Sequence, residues 1–151
     1  MIKNRIARAS ALTLALATAA VMFAGAGAAQ AAPPDSPAIP LNTGQETPAP
    51  SVGGAHGKFS YEIDGSSLCY TIAVTGLSTP AVAAHIHLGE RNIPGPIVVP
   101  LVVPTETSFE TSACTTAGPA LLAAIEANPS AYYVNVHTSM NLSGEVRGQL
   151  K

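Results

Sequence analysis

The sequence predicts an all-β domain, an antiparallel Greek-key-like β-sandwich or flattened barrel with one short helix. Short segments alternate apolar and polar residues, as half-buried strands do. Glycine, proline and Asp-Gly turn signals separate these segments. Helical spacing is convincing only at 119–128, where Pro119 suits a first turn and Leu121, Leu122 and Ile125 share one face.

The strands follow one another closely along the chain. The segment 42–57 is expected to be a loop, because its glycines and prolines oppose regular structure. In the segment 82–88, the alternation places Ile86 and Leu88 toward the core. Pro100 indicates a bent or edge strand. The predicted strands are 38–41, 58–63, 68–74, 82–88, 97–103, 108–115, 132–137 and 144–150.

The N-terminus predicts a secretory signal peptide over residues 1–31. A basic start precedes an apolar run at 11–29, and Ala29-Gln30-Ala31 is a small-x-small cleavage pattern. A retained membrane anchor is the alternative, since the apolar run is long enough for one. Residues 32–37 are expected to form a disordered, proline-rich spacer, and 38–151 a single domain. The basic residues of the signal are Lys3, Arg5 and Arg8.

Cleavage of this signal would leave a mildly acidic, secreted domain. The chain has 7 Lys and Arg and 9 Asp and Glu, so removing three basic residues leaves four against nine, a net charge of −5. The remaining cations are scattered in sequence, so nucleic acid is not expected as a partner. No membrane association is expected after cleavage.

The two cysteines, Cys69 and Cys114, predict a disulfide, because an exported protein folds in an oxidising compartment. Two free, buried thiols are the alternative. Cys69 lies on the opposite phase of its strand from Leu68 and Tyr70. The predicted bridge therefore lies outside the main core layer.

Polar side chains recur on one phase of three predicted strands. Because Ile86, Val134, Val136 and Val146 take the core-facing phase, the polar residues point the other way. If the three strands are neighbours, these residues share one polar face of the sheet. They are His85 and His87, Asn135 and His137, and Glu145 and Arg147.

The three histidines suggest a copper or zinc site. Residues i and i+2 of a strand lie roughly 6.5 Å apart and point the same way, so His85 and His87 can converge on one ion. His137 would be the third ligand, with water or Glu145 in an open fourth position and Asn135 fixing the ring tautomers. The alternatives are a hydrogen-bonded structural cluster, with Glu145 and Arg147 joined as a salt bridge, and a site for an organic ligand or protein partner. The sequence contains no catalytic constellation that predicts an enzyme.

The sequence resembles the CHRD domain, a family first recognised in chordin and common in secreted bacterial proteins. The similarity spans about 38–151, and its motifs follow the family's order. The loop that follows His85-Ile86-His87 departs from the family's usual pattern, in which Gly and Pro come directly after the second histidine. Here Leu88 separates His87 from Gly89, and Glu90 follows Gly89. The matching motifs are LNTGQETP at 41–48, LCYTIAVTGL at 68–77, AHIHLG at 84–89, GPIVV at 95–99, YVNVHT at 133–138 and GEVRGQL at 144–150.

This resemblance implies an all-β, extracytoplasmic binding domain whose biochemical role is poorly defined. The first hypothesis is therefore a secreted, non-enzymatic protein that coordinates copper or zinc through the three histidines. The second is a metal-free protein- or matrix-interaction module of the cell envelope, which would use loops such as 89–96. The third is a redox enzyme, because His-x-His on a strand also resembles the copper-ligand strand of copper/zinc superoxide dismutase; that family's remaining ligands have no match here.

Overall fold

The computed structural model describes residues 37–151. Eight strands form one antiparallel, nearly closed, barrel-like sheet in the order β5-β4-β7-β8-β1-β2-β3-β6, which confirms the predicted fold class. The signal peptide and most of the spacer fall outside the described residues. Within 37–151, no helix is both long and apolar enough to cross a membrane. The strands are β1 Ile39–Asn42, β2 His56–Asp64, β3 Ser67–Thr75, β4 Ala81–Leu88, β5 Ile97–Leu101, β6 Phe109–Thr116, β7 Tyr132–Thr138 and β8 Val146–Gln149.

The core lies inside the sheet and follows the period-two alternation of the strands. Along β3, every second residue from Leu68 to Val74 is buried. The predicted helix is confirmed as α1, Pro119–Ala127, which begins with proline and buries Leu122 and Ile125. Two short 3₁₀ turns complete the elements, at Thr43–Gln45 and Pro129–Ala131.

The predicted disulfide between Cys69 and Cys114 is confirmed. The two residues are direct partners on β3 and β6, with an S–S distance of 2.08 Å. Both are half-buried or exposed, on the opposite face of the strand from the core residues. The bridge therefore fastens β6, one end of the sheet, to its neighbour.

The prediction that Leu88 faces the core is wrong. Leu88 is 44 % exposed, whereas the preceding His87 is buried. Leu88 is the last residue of β4, and the register with β5 shifts between Ile86 and His87. A bulge of this kind re-aims side chains at the end of a strand, so the simple alternation does not reach that far.

Candidate metal centre

Three neighbouring strands place the predicted site residues on one face of the sheet. β7 pairs with β4 on one side and with β8 on the other. In these pairings Asn135 lies opposite both His85 and Arg147, and Tyr133 lies opposite His87. The condition set by the sequence is therefore met, because β4, β7 and β8 are adjacent in the sheet.

The face is buried, which corrects the expectation of an outward-facing polar surface. Asn135 is fully buried, and Glu145 and Arg147 are each 1 % exposed. Main-chain carbonyls from loops 89–95 and 139–143 contact these side chains, and Glu46 packs against them from the segment after β1. We call this set of side chains the polar layer; its members are Glu46, His85, His87, Tyr133, Asn135, His137, Glu145 and Arg147.

The three histidines form a compact group within this polar layer. His85 Nδ1 lies 3.0 Å from His137 Nε2, and one ring nitrogen from each of the three lies within 4.8 Å of the others. Two nitrogens bound to a tetrahedral ion at about 2.0–2.1 Å are about 3.3 Å apart, which falls inside this range. The spacing of His85, His87 and His137 therefore suits three ligands of one ion.

Main-chain carbonyls determine the tautomers of two of these rings. His87 Nδ1 donates to the carbonyl of Gly95 at 2.8 Å, and His137 Nδ1 donates to that of Leu142 at 2.9 Å. A carbonyl only accepts, so in each neutral ring Nε2 carries the lone pair. The lone pair of His137 Nε2 accepts a hydrogen bond from His85 Nδ1–H at 3.0 Å. These carbonyls take the tautomer-fixing role that was expected of Asn135, whose Nδ2 donates to the Ser143 carbonyl at 3.2 Å.

The environment keeps the three rings neutral. Burial lowers the pKa of each of the three imidazoles below its ordinary value. The pKa of His137 falls to about 4, even though the hydrogen bond of this ring to the Leu142 carbonyl opposes the shift. Neighbouring imidazoles add to the lowering for His85 and His137, because two adjacent charged rings would repel. Neutral imidazole is the form that binds a metal ion. In addition, His87 Nε2 is buried with no hydrogen-bond partner among residues 37–151.

Glu145 is committed to hydrogen bonds and is not part of the histidine group. Its carboxylate accepts from the Ser78 N–H at 2.7 Å and hydroxyl at 2.6 Å, from the Thr138 hydroxyl at 2.7 Å and from the Asn141 amide at 2.8 Å. Burial opposes its ionisation, but these donors outweigh that effect and lower its pKa. The structure therefore gives Glu145 the role of an anion that ties the β3–β4 loop to the end of β7 and to the β7–β8 loop, and not that of a fourth ligand.

Arg147 fastens the loop that follows β4. Its guanidinium donates to the carbonyl of Glu90 at 2.7 Å and to that of Ile93 at 3.1 Å, and lies 3.3 Å from the Tyr133 ring centroid. The salt bridge to Glu145 that the sequence allowed is not formed, because each residue takes other partners. Tyr133 in turn stacks on His87 at 4.8 Å and accepts a bond from the Gly95 N–H at 3.2 Å. Arg147 is thus connected to His87 through both Tyr133 and the loop.

Two members of the polar layer, Tyr133 and Glu46, are not among the site residues that the sequence predicts. Tyr133 shares the strand phase of Asn135 and His137. Glu46 lies in a segment rich in glycine and proline, where no periodicity reveals a buried side chain. Its Oε1 packs so closely on Gly144 that a Cβ there would collide with it; Gly144 also has φ of 127°, which favours glycine. Burial raises the pKa of Glu46 to about 7, although Arg147 and the Asn135 amide oppose the shift.

This raised pKa has a consequence for stability. The unfolded carboxyl ionises near 4.5 and the folded one near 7, so the folded state holds its proton longer. We therefore expect the contribution of Glu46 to the free energy of unfolding to fall as pH rises from about 5 to about 7, whereas the three histidines, whose pKa is lowered, contribute in the opposite direction. Comparison with Glu46→Gln isolates the carboxyl group: by urea denaturation, the stability of wild type relative to the variant should decrease over this range. A difference that stays constant with pH would contradict the expectation.

The fold and this polar layer define an all-β, disulfide-bonded domain with a buried histidine centre. More particularly, the chain belongs to the CHRD domain family, whose sequence profile matches residues 38–150. CHRD domains are generally non-catalytic modules and occur in extracellular proteins. Comparisons with curated proteins and with solved structures give no significant match.

Proposed function

We propose that this chain is a secreted binding protein that holds one copper or zinc ion through His85, His87 and His137. The observation that carries the proposal is the convergence of three neutral imidazoles from two adjacent strands. Imidazole ligands suit copper and zinc, and the Irving–Williams order favours copper where both are present. The family supports the coarser part of this statement, a non-enzymatic binding module.

Two further features support the metal reading over a purely structural histidine cluster. His87 Nε2 is buried with no hydrogen-bond partner in the described chain, so its lone pair is available to an ion. The Nδ1–carbonyl bonds of His87 and His137 are also the arrangement that orients metal-binding histidines. His85 is half-buried, so solvent or an exogenous ligand can reach an ion from its side.

The proposal is tested by removing two ligands together. Apo-protein titrated with Cu²⁺ or Zn²⁺ should bind one ion, and His85→Ala combined with His137→Ala should weaken binding by more than about 100-fold, beyond the loss typical of outer-shell changes. His56→Ala is the matched control, because His56 is exposed and hydrogen-bonds locally to the Gly54 carbonyl. Equal binding by the double variant and the control would reject the site.

A metal-free interaction module is the second candidate. The observation in its favour is a group of exposed apolar side chains around loop 89–96, namely Leu88, Ile93 and Ile97. Purified protein that carries no metal, binds none on titration and retains an envelope partner through this loop would favour this candidate. Uptake of one ion through the histidines would favour the first.

A further inference from the structure

The two buried carboxylates of the polar layer are held differently. Glu145 receives four hydrogen bonds, whereas Glu46 Oε1 is buried with no hydrogen-bond partner among residues 37–151. The charge of Glu145 is thus stabilised permanently by fixed donors. Glu46 has no such set of donors, so its protonation depends on the charges near it.

Asn135 connects Glu46 to the histidine group. Glu46 Oε1 and the Asn135 amide both pack against Gly144, and Asn135 is the direct strand partner of His85 on β4 and of Arg147 on β8. The amide does not titrate, and the backbone of Thr47 also lowers the pKa of Glu46. Arg147 is the charged group of the polar layer whose positive charge lowers the pKa of Glu46.

A metal ion would change this balance. Three neutral imidazoles bring no negative charge, so a divalent ion adds two positive charges to a buried layer that already contains Arg147. A nearby positive charge favours the ionised form of a carboxyl group, most strongly where water is excluded. Among the members of the polar layer, Glu46 is the one with a pKa near neutrality.

We propose that Glu46 is the proton-exchanging group of the metal centre: binding of a divalent ion by the three histidines drives loss of the Glu46 carboxyl proton to solvent. The O–H bond of the acid breaks, the proton passes to the buffer, and the carboxylate offsets part of the added charge. Metal uptake is therefore coupled to pH through a residue that does not bind the metal. This inference rests on the proposed function.

The coupling is measured by calorimetric titration of apo-protein with Zn²⁺, which is redox-inactive. Heats are compared at pH 7 in buffers of different ionisation enthalpy, which gives the number of protons released for each ion bound. With a pKa near 7, Glu46 is about half protonated, so wild-type protein should release about half a proton, rising toward one at pH 6. Glu46→Gln should release close to none, and Glu110→Gln, an exposed glutamate on β6, should match wild type.

Several results would overturn the proposal. Equal proton release by Glu46→Gln and wild type would assign the proton to zinc-bound water or to a ligand. Zinc binding without proton release in wild type would also exclude it while leaving the metal site intact, whereas no zinc binding at all would reject the site and the coupling together. If Glu46→Gln fails to fold, the ¹³C resonance of the Glu46 carboxyl in wild-type protein decides: its titration midpoint should fall on adding zinc, and an unchanged midpoint rejects the proposal.

Discussion

Replacement of Arg147 with methionine is expected to lower the free energy of unfolding by about 3 kcal/mol. Methionine has a similar length but no donors, so the carbonyls of Glu90 and Ile93 would lose their guanidinium partners. The stack on the Tyr133 ring would be lost as well. Urea denaturation at neutral pH measures the change.

The same substitution should loosen loop 89–95 and, through it, the ring of His87. Hydrogen exchange at the Gly95 N–H, which donates to the Tyr133 hydroxyl, should become faster. Arg91→Met is the matched control, because Arg91 is exposed, and it should change stability by less than about 0.5 kcal/mol. Equal stabilities of the two variants would contradict a structural role for the buried guanidinium.

Removal of the disulfide should cost about 4 kcal/mol of unfolding free energy. Cys69 and Cys114 are separated by 45 residues, so the bridge closes a long loop and restricts the unfolded chain. The double variant Cys69→Ala with Cys114→Ala should denature at lower urea concentration, as should wild-type protein in reductant.

The metal affinity provides an internal control for this second experiment. The bridge joins β3 to β6, and neither strand pairs with β4 or β7, which carry the histidines. Protein that remains folded without the bridge should therefore bind metal with unchanged affinity. A double variant as stable as oxidised wild type would show that the bridge contributes nothing to stability.

Much of the fold could be predicted because period-two alternation depends on neighbours in sequence. The alternation in 68–74 placed Leu68 in the core and Cys69 on the opposite face, and the structure confirms both positions. The same argument placed His85 and His137 on one face. Their closeness followed once β4 and β7 were neighbours, which the strand pattern suggested but did not require.

The burial of that face could not be predicted, because its cover consists of loops. A loop has no periodicity, so its position depends on tertiary contacts such as the Arg147 bonds to Glu90 and Ile93. For the same reason the sequence pattern does not reveal the burial of Glu46. Alternation also does not encode the bulge that turns Leu88 out of the core. These features arise from long-range packing.

The hydrogen bonds that orient His87 and His137 end on main-chain carbonyls, and this shapes how the protein can evolve. Every amino acid supplies a carbonyl, so the side chains of loops 89–95 and 139–143 are free to diverge while the histidines keep their orientation. Gly89 and Gly95 are exceptions, because a Cβ at either would collide with a main-chain carbonyl, that of Ile93 or of Leu88. Asn141 is a third, because its amide donates to the buried Glu145 carboxylate. Related domains could thus present different outer surfaces around an identical centre, and the departure from the usual family pattern at Leu88 need not disturb it.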